Sequence, residues 1–178
     1  MSLAVLETAR LRLRQFADDD AAFVLELLNE PAWLRFIGDR GVRTLDDARA
    51  YIESGPRAMF ARHGFSLMVA ERAADGAALG MCGLIKRDTL PAPDIGYAFL
   101  PRYWGQGYAR EAAAAVLDYG HRALGLPRIL AITAPDNTSS IRLLEELGMR
   151  FVEIIPYERG EVSRLFEHTH RATTNYSV

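Results

Sequence analysis

The segment Tyr97-Ala98-Phe99-Leu100-Pro101-Arg102-Tyr103-Trp104-Gly105-Gln106-Gly107-Tyr108-Ala109-Arg110-Glu111-Ala112 constrains this chain more than any other. It reads as an apolar strand, a short turn bearing two glycines, and the opening of a long alanine-rich helix. A helix start carries unpaired backbone N–H groups and the positive end of the helix dipole. Glycines just ahead of it let the backbone approach a phosphate with no Cβ in the way. The segment is a candidate pyrophosphate cradle.

The chain has 178 residues, 49% of them apolar and 25% charged. That is long enough to bury a core without disulfides or metals, and one domain over residues 1–178 is expected. A formal net charge of −2 gives no electrostatic case for binding nucleic acid or an anionic membrane. Cys82 is the only cysteine, which excludes an intrachain disulfide. Its apolar surroundings, Leu79 to Ile85, make it a buried, inert thiol. No charged leader precedes an apolar run, and no run reaches membrane-spanning length, so a cytoplasmic protein is the default expectation.

Residues 10–16 alternate basic and apolar side chains, the period of a half-exposed strand. Asp18, Asp19 and Asp20 offer N-caps for a helix running to about Leu28. Pro31 to Gly38 is a break that holds Trp33, Phe36 and Ile37 and has room for a short helical turn, and Thr44 opens a second helix through Tyr51 and Ile52 with Asp46 and Asp47 in its first turn. Strands are expected at 65–70 and 78–86 around an Asp75-Gly76 turn, then at 95–100 and 128–133. A helix over about 109–124 lies between the last two, with Gly125 and Pro127 at its end. Asp136, Asn137 and Thr138 cap another helix, 139–147, ended by Gly148. Strands near 151–155 and 162–167 follow, joined by a loop containing Arg159 and Gly160. The order β-α-α-β-β-β-α-β-α-β-β implies an α/β chain with a mixed sheet and helices on its faces.

Two familiar phosphate loops do not fit the glycine turn. A dinucleotide fingerprint would need a third glycine at position 110, which is arginine, and belongs near the first strand of its unit. A P-loop would need a Gly-Lys-Ser/Thr triplet, which the chain lacks. The remaining alternatives are a turn that uses glycine for its backbone angles alone, or a cradle of another kind.

Trp104-Gly105-Gln106-Gly107-Tyr108-Ala109 resembles the acetyl-coenzyme A pyrophosphate loop of the GNAT superfamily of N-acetyltransferases, Gln/Arg-x-x-Gly-x-Gly/Ala. Gly107 and Ala109 match its last two positions. Trp104 stands where the broad superfamily has Gln or Arg, a departure shared by the RimJ/RimL-like branch. Thr8 to Arg14 with Asp18 to Ala21 is similar to the opening of that branch, and Asp94-Ile95-Gly96-Tyr97 to its central strand. Asn137 to Met149 resembles the second cofactor motif, Asn-x-x-Ser/Ala ending in Gly-Phe.

The resemblance implies a GNAT-like fold whose strands 95–100 and 128–133 splay apart around pantetheine. It implies acetyl transfer from acetyl-coenzyme A to a primary amine, a protein N-terminus or a small molecule, by direct attack in a ternary complex. The alternative is a GNAT-fold protein that binds acyl-coenzyme A as a sensor or interaction module. The backbone of Phe99 and Leu100 would meet the acyl carbonyl and the pantetheine amide. Trp104, Gly105, Gln106, Gly107, Tyr108, Ala109 and Arg110 would hold the pyrophosphate, with Asn137 and Ser140 as further cofactor contacts.

Asp94 is the expected general base, its competing role being a solvated loop acid; Glu71 and Glu153 are weaker choices. Leu144 occupies the place where many relatives carry an acidic tyrosine, which leaves Ser140 as the candidate donor to the leaving thiolate. Trp33, Arg35, Phe36 and Tyr157 are implied walls of the acceptor site. His63 is expected in a loop and His121 on a helix surface. His168 and His170 share a strand face with no third ligand nearby, so no metal is expected. Exposed strands of this fold often pair between copies, so a homodimer is one expected assembly.

Overall fold

The computed structural model describes residues 4–170; residues 1–3 and 171–178 of the expected domain lie outside the described residues. The chain opens with strand β1 (Ala4–Glu7), turns at Thr8 and returns as β2 (Leu11–Arg14). Helices α1 (Ala21–Leu28), α2 (Pro31–Phe36), α3 (Leu45–Ile52) and α4 (Ala58–His63) follow. Then come β3 (Leu67–Arg72), β4 (Ala78–Ile85), β5 (Asp94–Phe99) and the long helix α5 (Tyr108–Arg122). Strand β6 (Arg128–Thr133), helix α6 (Thr138–Glu146), β7 (Arg150–Pro156) and β8 (Val162–Thr169) complete it.

The eight strands form one sheet in the order β1-β2-β3-β4-β5-β6-β8-β7. Every neighbouring pair is antiparallel except β5 and β6. Successive residues of the central strands divide between two cores, as the two-residue period of a strand requires. Met68 and Ala70 of β3 pack with Ala112, Val116 and Leu117 of α5. Val69, between them, packs with Val24 and Leu27 of α1 and Ile52 of α3. Covered on both faces, β3 and β4 carry almost no polar side chains. Cys82 sits fully buried in the α5 core, where burial pushes its thiol up.

Four elements differ from the expectations above. The short β1 pairs with β2 ahead of the expected first strand. The short helical turn allowed for at Pro31 is a six-residue helix, because proline at its first turn costs no hydrogen bond. After α3 the chain passes through a wide π-type turn over Glu53–Arg57 that accommodates Pro56, then continues as α4. Asp20 precedes α1 without capping it. Its carboxylate instead accepts from the Ala17 N–H at 2.7 Å and from both terminal nitrogens of Arg14 at 2.8 and 2.9 Å.

Strand β4 approaches β5 closely where Gly80 faces Phe99. A Cβ on Gly80 would lie 2.4 Å from the Ala98 carbonyl oxygen and 2.6 Å from the Phe99 ring. Gly80→Ala is expected to lower stability by about 1–3 kcal/mol through this overpacking. A fall in the urea unfolding midpoint at unchanged slope checks it.

Candidate functional site

Strands β5 and β6 share a single pairing, Asp94 with Leu130, where the Leu130 N–H donates to the Pro93 carbonyl at 2.9 Å. Leu100 N–H donates to the Leu79 carbonyl at 2.9 Å. Because strand amides alternate sides, the N–H and C=O groups of Ile95, Tyr97 and Phe99 turn the other way, toward β6. The parallel pairing takes up the Ile95 N–H; past it, no strand among the described residues meets the groups of Tyr97 and Phe99. The sheet therefore opens into a slot edged by backbone polar groups, and such groups need partners.

Leu100 does not contribute to that edge. Its N–H is committed to Leu79, and its carbonyl accepts from the Tyr103 N–H at 2.9 Å. Both backbone groups of Leu100 thus have partners within the protein, and the groups bare on that edge are those of the residues before it. The Phe99 carbonyl accepts from Trp104 Nε1 at 2.7 Å, which folds the half-exposed indole back over the strand end.

The turn that follows places Gly105 at φ +70° and Gly107 at φ +81°, backbone angles that favour glycine. None of the N–H groups of residues 105–110 donates to a backbone acceptor among the described residues. The first bond of α5 runs from the Glu111 N–H to the Gly107 carbonyl, 3.0 Å. Gly107 caps α5 with no side chain. Successive donors thus crowd at the positive end of a 15-residue helix, an arrangement that fits a pyrophosphate. Trp104, Gln106 and Arg110 are exposed around it, Ala109 is partly covered, and the Tyr108 ring is buried beneath the turn.

Across the slot, Asn137 caps α6: its Oδ1 accepts from the Ser140 N–H and from Ser139 Oγ, both at 3.2 Å. Its Nδ2 has no acceptor among the hydrogen bonds of the described residues. The cap role therefore leaves room for a ligand role on the same side chain. Ser140 Oγ lies 2.8 Å from the Tyr97 hydroxyl. Tyr97 reaches from β5 to α6, and burial pushes its phenol up to about 12 against the pull of the Ser140 hydrogen bond. Tyr97 is not among the expected site residues. Its signal was the strand period, which puts it on the α6 side with Ile95 and Phe99. Leu144 is core.

Asp94 points to the opposite face of the sheet, the side on which Ala98 and Leu100 meet the α1–α3 core. It is 1% exposed, so it is not a solvated loop acid. Arg87 Nε donates to both its oxygens at 3.0 and 3.1 Å. Burial pushes the Asp94 carboxyl up to about 6, against the pull of Arg87. Tyr157, from the β7–β8 hairpin, interacts electrostatically with Arg87 and favours its charged form. Burial pushes the Tyr51 phenol up as well, while Arg40 and Arg87 oppose it. Arg87, Arg40 and Tyr51 come from separate elements, and no local motif marks them.

The implied acceptor walls divide. Trp33 is 5% exposed in the α1–α3 core, its Nε1 donating to the Gly38 carbonyl at 3.0 Å, so it is no wall. Arg35 lies over the Phe36 ring and bridges to Asp136 at 2.9 Å, joining α2 to the loop before α6. Glu71 is occupied by Arg12 and Arg14, and Glu153 lies exposed on β7. His121 is buried rather than on the surface. Its Nδ1 donates to the Leu126 carbonyl at 2.7 Å, and its Nε2 lies 2.8 Å from His168 Nδ1. His63 lies exposed at the end of α4. Burial, and then the neighbouring His121 and His170, hold His168 below the usual histidine range.

Residues 10–150 match the acetyltransferase (GNAT) domain family. The chain belongs to the GNAT acetyltransferase family. Its chemistry is transfer from an acyl-coenzyme A. It is 35% identical over 153 residues to the uncharacterised protein YkkB of Bacillus subtilis, covering 84% of this chain and 87% of YkkB. A GNAT-family acetyltransferase from Bacillus anthracis shares 26% identity, with a TM-score of 0.77 and coverage of 95% and 98% of the two chains. RimL, the ribosomal L7/L12 α-N-protein acetyltransferase solved with coenzyme A, shares the fold at a TM-score of 0.79 and 15% identity. That match covers 94% of this chain and 98% of RimL. No helix among the described residues is long and apolar enough to cross a membrane.

The two roles of Asn137 separate by substitution. Asn137→Asp keeps the capping oxygen and removes Nδ2, so thermal stability should hold while coenzyme A affinity falls severalfold. Asn137→Ala should also cost about 1 kcal/mol of stability. Calorimetric titration and urea melts of both variants check this.

Proposed function

We propose that this GNAT protein moves an acetyl group from acetyl-coenzyme A to a primary amine, a protein N-terminus or a small molecule, within a ternary complex. The observation that carries this reading is the continuity of the β5–β6 slot with the unpaired amides of residues 105–110. One edge suits pantetheine, and the adjoining turn suits its pyrophosphate. Phe99 holds the slot edge, residues 104–110 the pyrophosphate, and Asn137 Nδ2 the cofactor near α6. The donor names the acyl group; the protein supplies position and proton traffic.

The amine nitrogen attacks the thioester carbon, the C–N bond forms, and the C–S bond breaks. In our reading the amine proton passes to Asp94 across a water, on the α1–α3 side of the sheet. The departing thiolate takes a proton through the Ser140 hydroxyl on the other side, Tyr97 holds that hydroxyl in line, and the serine oxygen regains its proton from solvent water. A base and an acid on opposite faces of one gap cannot neutralise each other. Arg87 keeps the buried Asp94 ionisable, and with Tyr51 and Tyr157 it shapes the acceptor side. The exposed apolar side chains of Phe151, Val152 and Ile154 on the outer strand β7 support a homodimer of single-domain protomers.

The place of Leu144 favours the second reading, a coenzyme A-binding sensor without turnover. A thiol-release assay across amine substrates separates the two: release with any amine supports the transferase, and tight binding with none supports the sensor. Gly107→Asp sets a carboxylate against the pyrophosphate and should weaken coenzyme A binding at least about tenfold by calorimetry; unchanged affinity removes the cradle. Ser140→Ala should lower kcat with affinity held within severalfold. The Asp94 base must be ionised, so kcat/KM should rise with pH through about 6. Asp94→Asn should remove that limb, and Arg87→Gln should move it upward, since the opposing cation is gone.

A further inference from the structure

Arg10, ahead of β2, lies against the phosphate turn from behind. Its Nη1 donates to the Gln106 carbonyl at 2.8 Å, across 96 residues of sequence. Its Nε donates to Glu111 Oε2 at 2.7 Å, and its backbone N–H to Glu111 Oε1 at 2.8 Å. The guanidinium stacks over the Tyr108 ring, 4.5 Å from its centroid. Its Nη2 lies 3.3 Å from where a Cβ on Gly107 would stand. Thr8 Oγ1 donates to the same Glu111 oxygen at 2.6 Å, so the β1–β2 corner is docked on the first turn of α5.

The consequence lies in one peptide plane. In a trans peptide the carbonyl of one residue and the N–H of the next point in opposite directions. Holding the Gln106 carbonyl toward Arg10 therefore aims the Gly107 N–H away from Arg10, out of the turn on the side open to a ligand. Without that anchor, a peptide flanked by two glycines rotates freely, and ordering it would be charged to ligand binding. Glu111 fixes the guanidinium in turn, because its two oxygens take both the Nε and the backbone of the same residue.

We propose that Arg10 is a positioning residue for coenzyme A: it presets the Gln106–Gly107 peptide so that the turn meets the pyrophosphate already formed. This rests on the cradle reading above. The planar guanidinium suits the task because it bonds Glu111 and Gln106 while stacking on Tyr108, which a single ammonium cannot do.

The test compares wild type, Arg10→Met and Arg10→Lys by calorimetry with coenzyme A and with pantetheine, which has no pyrophosphate. NMR follows the Gly107 amide of the ligand-free protein. We expect Arg10→Met to lose about tenfold in coenzyme A affinity, the size of one hydrogen bond to a charged group, with pantetheine affinity unchanged. The Gly107 amide should shift in the absence of ligand, and Arg10→Lys should recover part of the loss. Equal loss for both ligands would assign Arg10 a general structural role and overturn the proposal. So would a coenzyme A loss with the Gly107 amide unmoved, since that is the signature of a distant charge. Unchanged coenzyme A affinity in Arg10→Met, with Gly107→Asp still disabling, would sink the clamp alone. Unchanged affinity in Gly107→Asp would sink the cradle beneath it.

Discussion

Everything at the site depends on β5 and β6 parting after one pairing. Each strand is held by its outer neighbour: β5 by six paired positions with β4, and β6 by six with β8. On the edges they turn toward each other, the two strands pair at Asp94 and Leu130 alone. The sheet is thus two antiparallel halves joined at Asp94 and Leu130, with α5 crossing between them. The unpaired edge of β5 is the cost of that arrangement, and a ligand with its own amides is the natural partner.

That parting also sorts the polar groups. Alternation along β5 sends Asp94 to the face covered by α1 and α3, and Tyr97 to the face covered by α6. Arg87 meets Asp94 on one side, and Ser140 meets Tyr97 on the other. Both titratable groups are pushed up by burial, yet Asp94 has a cation beside it and Tyr97 only a hydroxyl. The carboxyl consequently lies near 6, within reach of neutral pH, while the phenol near 12 stays protonated there. One side is suited to accept a proton and the other to give one.

Much of this was legible in the residues. Alternation marked the strands, capping residues marked α3 and α6, and the glycine turn marked the start of α5. The two motifs around Gly107 and Asn137 marked a candidate cofactor site from the residues alone. Less visible were features set by distant partners. Asp20 has the chemistry of a helix cap, but Arg14 claims its carboxylate. Trp33 has the chemistry of a pocket wall, but its indole is buried and bonded to Gly38. His121 sits on a helix with no sign that His168 waits across the sheet. Leu100 was placed correctly at the strand end, while the register that spends its amide belongs to β4.

The sequence by itself determined most of the local pieces: the central strands, helices α1, α3, α5 and α6, where the turn needs glycine, and which helix presents bare amides. These follow from side-chain period, φ preferences and capping, all of which act within a few residues. Only the tertiary structure decided which backbone groups stay unpaired, that Asp94 is buried beside Arg87, that Tyr97 reaches Ser140, and that Arg10 braces the turn. Those outcomes depend on strand register and on desolvation, which arise when residues far apart in the chain compete for the same neighbour.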